Sequence, residues 1–580
     1  MWKGTFRAWT LYTVLAVVVW GLFAADRGLL QDDAAVLFWV RYQARLGPLA
    51  ALLFTVTPTR LLANVSYGLA GYCPDPILAL HLFYGAAWLG LGLLAHLVAG
   101  ELFPGRPRLR LVAGALTLCA TADFLTNSPI SLGYHVAACA MAAAVWSGLR
   151  WLRTGRWPAA AAAGFFLSWS LWTYEAGLPS VLLAPVLFWI AGRFVWTRRW
   201  AVLAAIWVIV LFPWSFAFWR FLTEPGGYAS KAVVKTAPLE LFPLSVDLFR
   251  QNFTPWEWLL DRPVWFAPVE RVLPLRLTVP LTLLALLVFV WAAAARPRRE
   301  RAEAEPERVS LRAAALLVWL AVATYASNAI FAGVISADVF YRTHIFSKVW
   351  ASILIALLGE GLSSRLGRAE RIGLVLPALF VAFGAAAGLE RQDYYLSSWR
   401  NHRAELASIV AQVPALRPGS SLVLYCPPYR PFKATEAEYL THAWLSLLEG
   451  DSTLTSRVYL WSESRKTGCE GEGTGLRCWK EGQEPCVPHR ECAGALVPYD
   501  KMVLLTFSPR AGRYEWNDPF PSALLEPLAP KPLGYRPSEQ VLKRPLEPWI
   551  ERRLFGPFAL ARFLPVFKKD AALMKDAARR

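Results

Sequence analysis

The sequence predicts an α-helical polytopic membrane protein with a small C-terminal α/β domain. Three observations predict it. The chain of 580 residues is 56% hydrophobic and 14% aromatic, with a mean hydropathy of +0.36, and its apolar residues run on in long uncharged stretches. Arginine clusters mark alternate connections between those stretches. From about Arg391 the long apolar runs stop and short apolar segments with helix or strand spacing take over. The formal net charge of +18 sits in short clusters between apolar runs, not in a stripe interleaved with exposed aromatics, so it reflects topology and not nucleic-acid binding.

Spans are predicted near Trp9 to Ala25, Ile77 to Val98, Leu109 to Phe124, Leu132 to Leu149, Pro158 to Thr173, Leu178 to Trp196, Trp200 to Trp219, Leu273 to Ala295, Ala313 to Phe331, Ile345 to Leu362 and Ile372 to Leu389. That makes about eleven, each crossing most or all of a ~30 Å hydrocarbon core at ~1.5 Å per residue. The positive clusters are Lys3 with Arg7, Arg106 to Arg110, Arg150 to Arg156, Arg193 to Arg199, Arg296 to Arg312 and Arg365 to Arg371. The positive-inside rule makes these connections and the N-terminus cytoplasmic. Residues 1–390 are then a transmembrane domain, and residues 391–580 form an extracytoplasmic one. Lys3, Arg7 and Ala24-Ala25 also fit a cleaved signal peptide, but cleavage would untie the following acidic loop from its anchor.

After the first span, residues 26–76 form a long outer loop, with stretches such as Ala50 to Phe54 too short to cross and suited to interfacial helices. A second outer loop runs from Arg220 to Val272. Its Phe253 to Phe266 stretch sets three tryptophans among charges, the composition of a headgroup-level belt or of a lining for a lipid entrance. In the outer domain, Glu405 to Leu416 and Thr435 to Leu448 read as helices, and Ser421 to Tyr425, Arg457 to Trp461 and Met502 to Phe507 as strands. It has no glycine-rich phosphate loop. Trp549 to Lys569 is a basic amphipathic stretch, interrupted by Pro557 and Pro565, that suits the membrane surface better than a further span.

Five of the eight cysteines, Cys426, Cys469, Cys478, Cys486 and Cys492, fall in the outer domain, where disulfides are expected with their connectivity open. The spacing of Cys486, His489 and Cys492 is not a standard zinc pattern. Cys119 and Cys139 lie in apolar segments and read as packing residues. Asn64-Val65-Ser66 and Asn252-Phe253-Thr254 are glycosylation sequons on the outer side.

Charged groups at the ends of spans are costly unless they face a cavity or a partner, so their positions are the best guide to a site. Four clusters share the outer face. The acidic pair Asp32-Asp33 follows the first span, with a solvated turn as its competing reading. Asp123 ends the third span, where backbone N–H groups could equally satisfy it. Tyr174-Glu175 occupies a tight turn between the fifth and sixth spans. Arg342, His344 and Lys348 form a positive connection on the outside, against the topological trend. A bound anion explains it as well as snorkelling side chains do. Carboxylates and phosphate-binding cations on one face of an apolar bundle suit a lipid phosphate as one substrate and a hydroxyl compound as the other.

In this order and sidedness residues 1–390 resemble the GT-C superfamily of polytopic glycosyltransferases, which includes protein O-mannosyltransferases and the aminoarabinose transferase of lipid A. Asp32-Asp33 matches the acidic pair that opens the first outer loop there, and Tyr174-Glu175 matches a later Tyr-Glu turn. Asp32-Asp33 lacks an adjacent glutamate, and the second acidic site is the lone Asp123. The resemblance implies a polyprenyl-phosphate-linked sugar as donor and a first-loop Asp as base. The acceptor would be a glycan, a lipid or a protein, and the chemistry inverting. Asp123, Tyr174, Glu175, Arg342, His344 and Lys348 would bind substrate. No cofactor is required: a divalent cation at the carboxylates is compatible with the set, but nothing in the spacing demands one. The alternatives are a transporter or flippase of lipid-linked glycans and a non-catalytic envelope scaffold. Cysteine labelling at Glu303 should report the cytoplasm and at Glu470 the outside; both on one side would refute the topology.

Overall fold

A computed structural model describes residues 2–28, 60–120, 132–174, 177–191, 197–223, 246, 249–260, 272–294, 313–319, 337–365, 372–426, 445, 457–462, 468–472, 474–479, 495–508, 511, 513–518, 520, 534–543 and 545–558. The Cα trace divides into two compact units. The first comprises Met1–Ala24, Gln43–Pro263 and Leu273–Asp393, and the second Ala25–Tyr42, Val264–Val272 and Tyr394–Arg580.

The first unit is helical. Helix α1, Trp2–Ala16, continues into a π-helical turn, Val17–Gly21, and is followed by α2 (Val65–Gly71), α3 (Pro76–Leu102), α4 (Pro107–Cys119) and α5 (Leu132–Thr154). Next come α6 (Trp157–Thr173), α7 (Leu178–Ala191), α8 (Arg198–Thr223), the short α9 (Glu257–Leu260), α10 (Leu275–Ala293), α11 (Ala337–Arg365) and α12 (Val375–Gln412). Local sequence sets the boundaries. Asp75 caps α3 by accepting from the Leu78 N–H at 2.9 Å, and proline occupies the first turn of α3, α4 and α6, where its missing N–H costs nothing. Gly155, at φ 67°, makes the tight turn from α5 to α6.

Among the described residues five helical stretches are long and apolar enough to cross a membrane: Pro76–Leu102, Leu132–Thr154, Arg198–Phe221, Leu275–Ala293 and Ile345–Leu362. This is an integral membrane protein. Val208, Ile209 and Phe212 of α8 and Leu287 of α10 turn more than half their surface outward, an apolar face suited to acyl chains. The remaining predicted spans are helical over most of their described residues; residues 121–124, 192–196 and 320–331, in the third, sixth and ninth, lie outside the described residues.

Lipid tails are as apolar as leucine, so helices in a bilayer associate by close packing of small residues. A Cβ on Gly384 of α12 would sit 2.1 Å from the Cys119 carbonyl oxygen at the end of α4, and one on Gly388 would sit 2.7 Å from Val19 Cγ1 in the π turn. The all-alanine run Ala142–Ala143–Ala144 of α5 is likewise buried.

Helix α12 corrects the sequence reading, which ended a span at Leu389 and began a separate helix at Glu405. One helix of 38 residues covers both, because neither proline after Pro377 nor glycine after Gly388 interrupts it; Pro414 stops it. Leu416 instead makes an isolated bridge to Val541. Arg391, Gln392 and Asp393 do not begin a solvated domain but are buried within the first unit.

In the second unit, strands β1 (Ser421–Cys426), β2 (Val458–Ser462), β6 (Met502–Ser508) and β7 (Arg513–Trp516) form a sheet in the order β2-β1-β6-β7. β1 runs parallel to β2 and β6, and β7 antiparallel to β6. The unbroken apolar runs Leu422–Leu424 and Met502–Leu505, all fully buried, suit strands covered on both faces. The end of α12 is tied to β7: Ser408 Oγ accepts from the Tyr514 N–H at 3.1 Å and Gln412 Nε2 donates to the Tyr514 carbonyl at 2.8 Å. The three predicted strands of this unit are present, while Thr435 to Leu448 lies outside the described residues except Leu445.

A second, antiparallel sheet of β3 (Gly468–Glu472), β4 (Gly475–Trp479) and β5 (Ala495–Pro498) was not predicted. Cys469 and Cys478 lie directly opposite each other in β3 and β4 and form a disulfide, which supplies the bridge expected in the cysteine-rich segment. Cys486, His489 and Cys492 lie outside the described residues. Short helices α13 (Pro537–Gln540) and α14 (Pro548–Phe555) complete the unit. α14 holds the chain that leaves the first helix, through Arg553 Nη1 donating to the Ala25 carbonyl at 2.6 Å.

The glycine contacts make a paired prediction. Gly384→Val should lower thermal stability by ~1 to 3 kcal/mol, because the Cys119 backbone cannot yield, whereas Gly361→Ala, with open space at its Cβ position, should be neutral or stabilising. Unfolding of both variants in detergent checks it, and equal effects would refute the packing account.

Candidate functional site

The first turn of α5 presents two adjacent aromatic side chains, Tyr134 and His135, each of which organises a polar cluster in the first unit. Tyr134 receives a hydrogen bond of 2.8 Å from the Tyr174 hydroxyl, with ring centroids 4.0 Å apart. Both phenols are buried. The Arg60 guanidinium carbon lies 4.4 Å from the centroid of Tyr174, a cation–π contact. Two residues on, the Leu62 N–H donates to the Trp172 carbonyl at 2.9 Å, so the segment at 60–62 is pinned to the end of α6.

His135 sits among Tyr84 and Trp88 of α3, with centroids 4.7 and 5.1 Å away. Trp20 of the π turn stacks on Tyr84 at 5.5 Å. Trp88 is fixed by its indole N–H donating to the Leu118 carbonyl at 3.1 Å, and Lys348 places its ammonium 3.6 Å from that ring's centroid. Lys348 is 5% exposed, which makes an aromatic face and neighbouring polar groups necessary to hold its charge.

The two clusters are linked through a third contact. A Cβ on Gly177, just beyond the Tyr174 turn, would be 3.1 Å from Phe346 Cε1 and 3.5 Å from Ser170 Oγ, so glycine lets this turn seat against α11. Next to Phe346, Ser347 Oγ donates to Asn252 Oδ1 at 3.1 Å. Asn252 is buried and its Nδ2 donates to the Phe249 carbonyl at 3.4 Å, so the second sequon is a packing element. Trp258, read as part of a headgroup belt, is buried as well, donating to the Gln251 carbonyl at 2.8 Å, while Trp256 is 49% exposed.

Of the residues singled out in the sequence, Tyr174 is thus placed beside Tyr134 of α5, and Lys348 on Trp88 of α3, whose ring flanks His135. Asp32, Asp33, Asp123 and Glu175 lie outside the described residues. Arg342 and His344 belong to α11, which corrects their reading as a short connection: no proline or glycine occurs between Ala337 and Leu358, and the segment is helical. Six residues apart on one helix, the Cα atoms of Arg342 and Lys348 lie about 120° apart around the axis and about 9 Å apart along it. Sequence reasoning missed Arg60, Tyr84, Trp88, Tyr134 and His135. The signal was available in Gly133-Tyr134-His135, two hydrogen-bonding rings heading an otherwise alanine-rich helix. Among the described residues no group of three or more His, Cys, Asp or Glu could hold a metal ion.

Solved structures similar to the chain include the apo form of the Archaeoglobus fulgidus oligosaccharyltransferase, at 13% identity over 78% of this chain and 64% of that one, with a TM-score of 0.39. Another is ArnT from Cupriavidus metallidurans bound to undecaprenyl phosphate, at 14% identity over 78% of this chain and 86% of that one, also at 0.39. A third is the A. fulgidus enzyme AglB in complex with an inhibitory peptide and a dolichol-phosphate, at 13% identity, 78% and 65% coverage and 0.39. The chain spans 64% of the length of the first of these. No protein-family model and no curated protein matches the chain. At these TM-scores the functional reading rests on the chain's own residues.

The Lys348–Trp88 contact is testable by a double-mutant cycle. Lys348→Met and Trp88→Leu should show a coupling of ~0.5 to 2 kcal/mol in unfolding measurements, the range for a desolvated cation–π pair. Additive effects would show that the ring does not hold the charge.

Proposed function

We propose that the protein is a glycosyltransferase that moves a sugar from a polyprenyl-phosphate-linked donor to an extracytoplasmic acceptor hydroxyl. The observation that supports this most is the meeting of segments far apart in sequence: Arg60 and Leu62, the Tyr134–His135 pair, the Tyr174–Gly177 turn and Phe346 to Lys348. They belong to the end of the first loop, the Tyr-Glu turn and the cationic segment that the sequence assigns to one site. The meeting place offers phenol hydroxyls for sugar hydroxyls, and the buried Lys348 with the half-buried Arg60 for phosphate, the two chemistries such a substrate carries.

In the proposed reaction one of Asp32 and Asp33 takes the proton of the acceptor hydroxyl as its oxygen bonds to the anomeric carbon. The bond from that carbon to the phosphate oxygen breaks, and its electron pair leaves with the polyprenyl phosphate. The configuration at the anomeric carbon inverts. Arg342 and Lys348 offset the charge that develops on the leaving group, with His344 alongside them. Asp123, Glu175 and Tyr174 orient the sugar. The residues beyond Asp393 form the outer domain of this enzyme.

Asp32→Asn or Asp33→Asn should reduce sugar transfer by ~10² to 10⁴ in the purified, folded protein, since an amide cannot accept the proton. Arg342→Ala should instead weaken use of the lipid phosphate, each lost charge-assisted contact being worth ~1.5 to 3 kcal/mol. Transfer from a polyprenyl-phosphate sugar in nanodiscs measures both. Wild-type turnover in both Asp variants would end the catalytic assignment, and movement of the lipid across the bilayer without sugar consumption would make the protein a flippase.

A further inference from the structure

A cavity of about 240 Å³ opens between α3, α4 and α5, at the helix ends remote from Tyr134. Arg150 and Arg153 in its lining lie sixteen and nineteen residues along α5 from Tyr134, roughly 24 to 29 Å away. It is therefore a separate place from the candidate site.

Its charges are unbalanced. Glu101 is the one carboxylate in the lining, and Arg153 occupies it with an ion pair of 3.1 Å. Arg110 and Arg150 make no ion pair among the described residues. The Nε of Arg110 is buried with no hydrogen-bond partner, which is costly for a guanidinium N–H unless something occupies the cavity. The Arg150 guanidinium carbon lies 5.3 Å from the Trp146 centroid, an arrangement that keeps its in-plane N–H edges for a ligand. Gly100 makes the space, since a Cβ there would meet Arg110 Cδ at 2.9 Å. Leu97, also in the lining, is 39% exposed and gives the cavity an apolar rim.

We propose that this cavity binds the phosphate of an anionic phospholipid. Two guanidinium groups match the planar oxygens of a phosphate ester, and basic pockets between membrane helices hold such headgroups. The Leu97 rim favours a lipid over free phosphate, because an acyl chain leaving the cavity would cover it.

The full-length protein in mild detergent is equilibrated with phosphatidylglycerol, with phosphatidylcholine or with inorganic phosphate, and its monodisperse fraction is examined by native mass spectrometry. Wild-type protein should retain phosphatidylglycerol selectively. Combining Arg110→Gln with Arg150→Gln should weaken retention about tenfold or more. Gly100→Leu, which fills the cavity and leaves every charge in place, should weaken it comparably, and Arg198→Gln, at an exposed arginine outside the cavity, should not. Retention unaffected by Gly100→Leu, equal retention of phosphatidylcholine, or binding of inorganic phosphate without the lipid would each overturn the proposal.

Discussion

A backbone group that water cannot reach needs a partner within the protein, and the first unit is arranged around three such groups. Consecutive side chains of α12 meet them. Gln392 Nε2 donates to the Val18 carbonyl in the π turn at 2.7 Å, Asp393 Oδ1 accepts from the Leu273 N–H at 2.7 Å, and Arg391 Nη2 donates to the Trp258 carbonyl at 3.3 Å. One turn of one helix thereby fixes the end of α1, the entrance to α10 and the end of α9. Gly388, a turn earlier, is the small residue that lets the backbones come close enough.

The clusters of the candidate site inherit their positions from this frame. The π turn that receives Gln392 also carries Trp20, which stacks on Tyr84, and Tyr84 in turn flanks His135. A π turn is a rare local geometry that often occurs where a helix serves a function, and here it delivers both an accessible carbonyl and an aromatic wall. The ring that meets the buried charge of Lys348 is likewise fixed, since Trp88 is held by its own hydrogen bond.

The helical membrane domain and the parallel strands were legible in the sequence because each is written in a strong pattern: long apolar runs for the helices, and Leu422 to Leu424 or Met502 to Leu505 for strands buried on both faces. The β3–β4–β5 sheet was not legible, as Gly468–Glu472 combines two glycines with two glutamates and owes its pairing to register and the Cys469–Cys478 bridge. Polarity misled in two places. Arg391 to Asp393 and Arg342 to Lys348 read as breaks in helices, yet none of those residues is a helix breaker; charge changes what a helix touches, not whether it forms. Tyr174 and Lys348 could be nominated from chemistry alone, but their partners on α3 and α5 come together only through tertiary packing.

The side-chain amide of Asn252 bears on how the protein is produced. Its nitrogen donates to the Phe249 carbonyl while its oxygen accepts from Ser347, and the residue is 4% exposed. A host whose secretory machinery attaches glycans to Asn-x-Thr during translocation would modify this amide before the chain has folded around it. The bulky adduct would occupy the space that α11 fills, leaving a fraction of chains permanently off the folding route. A host without that modification, or an Asn252→Gln change made for one that has it, determines the yield of foldable protein before any assay of its chemistry begins.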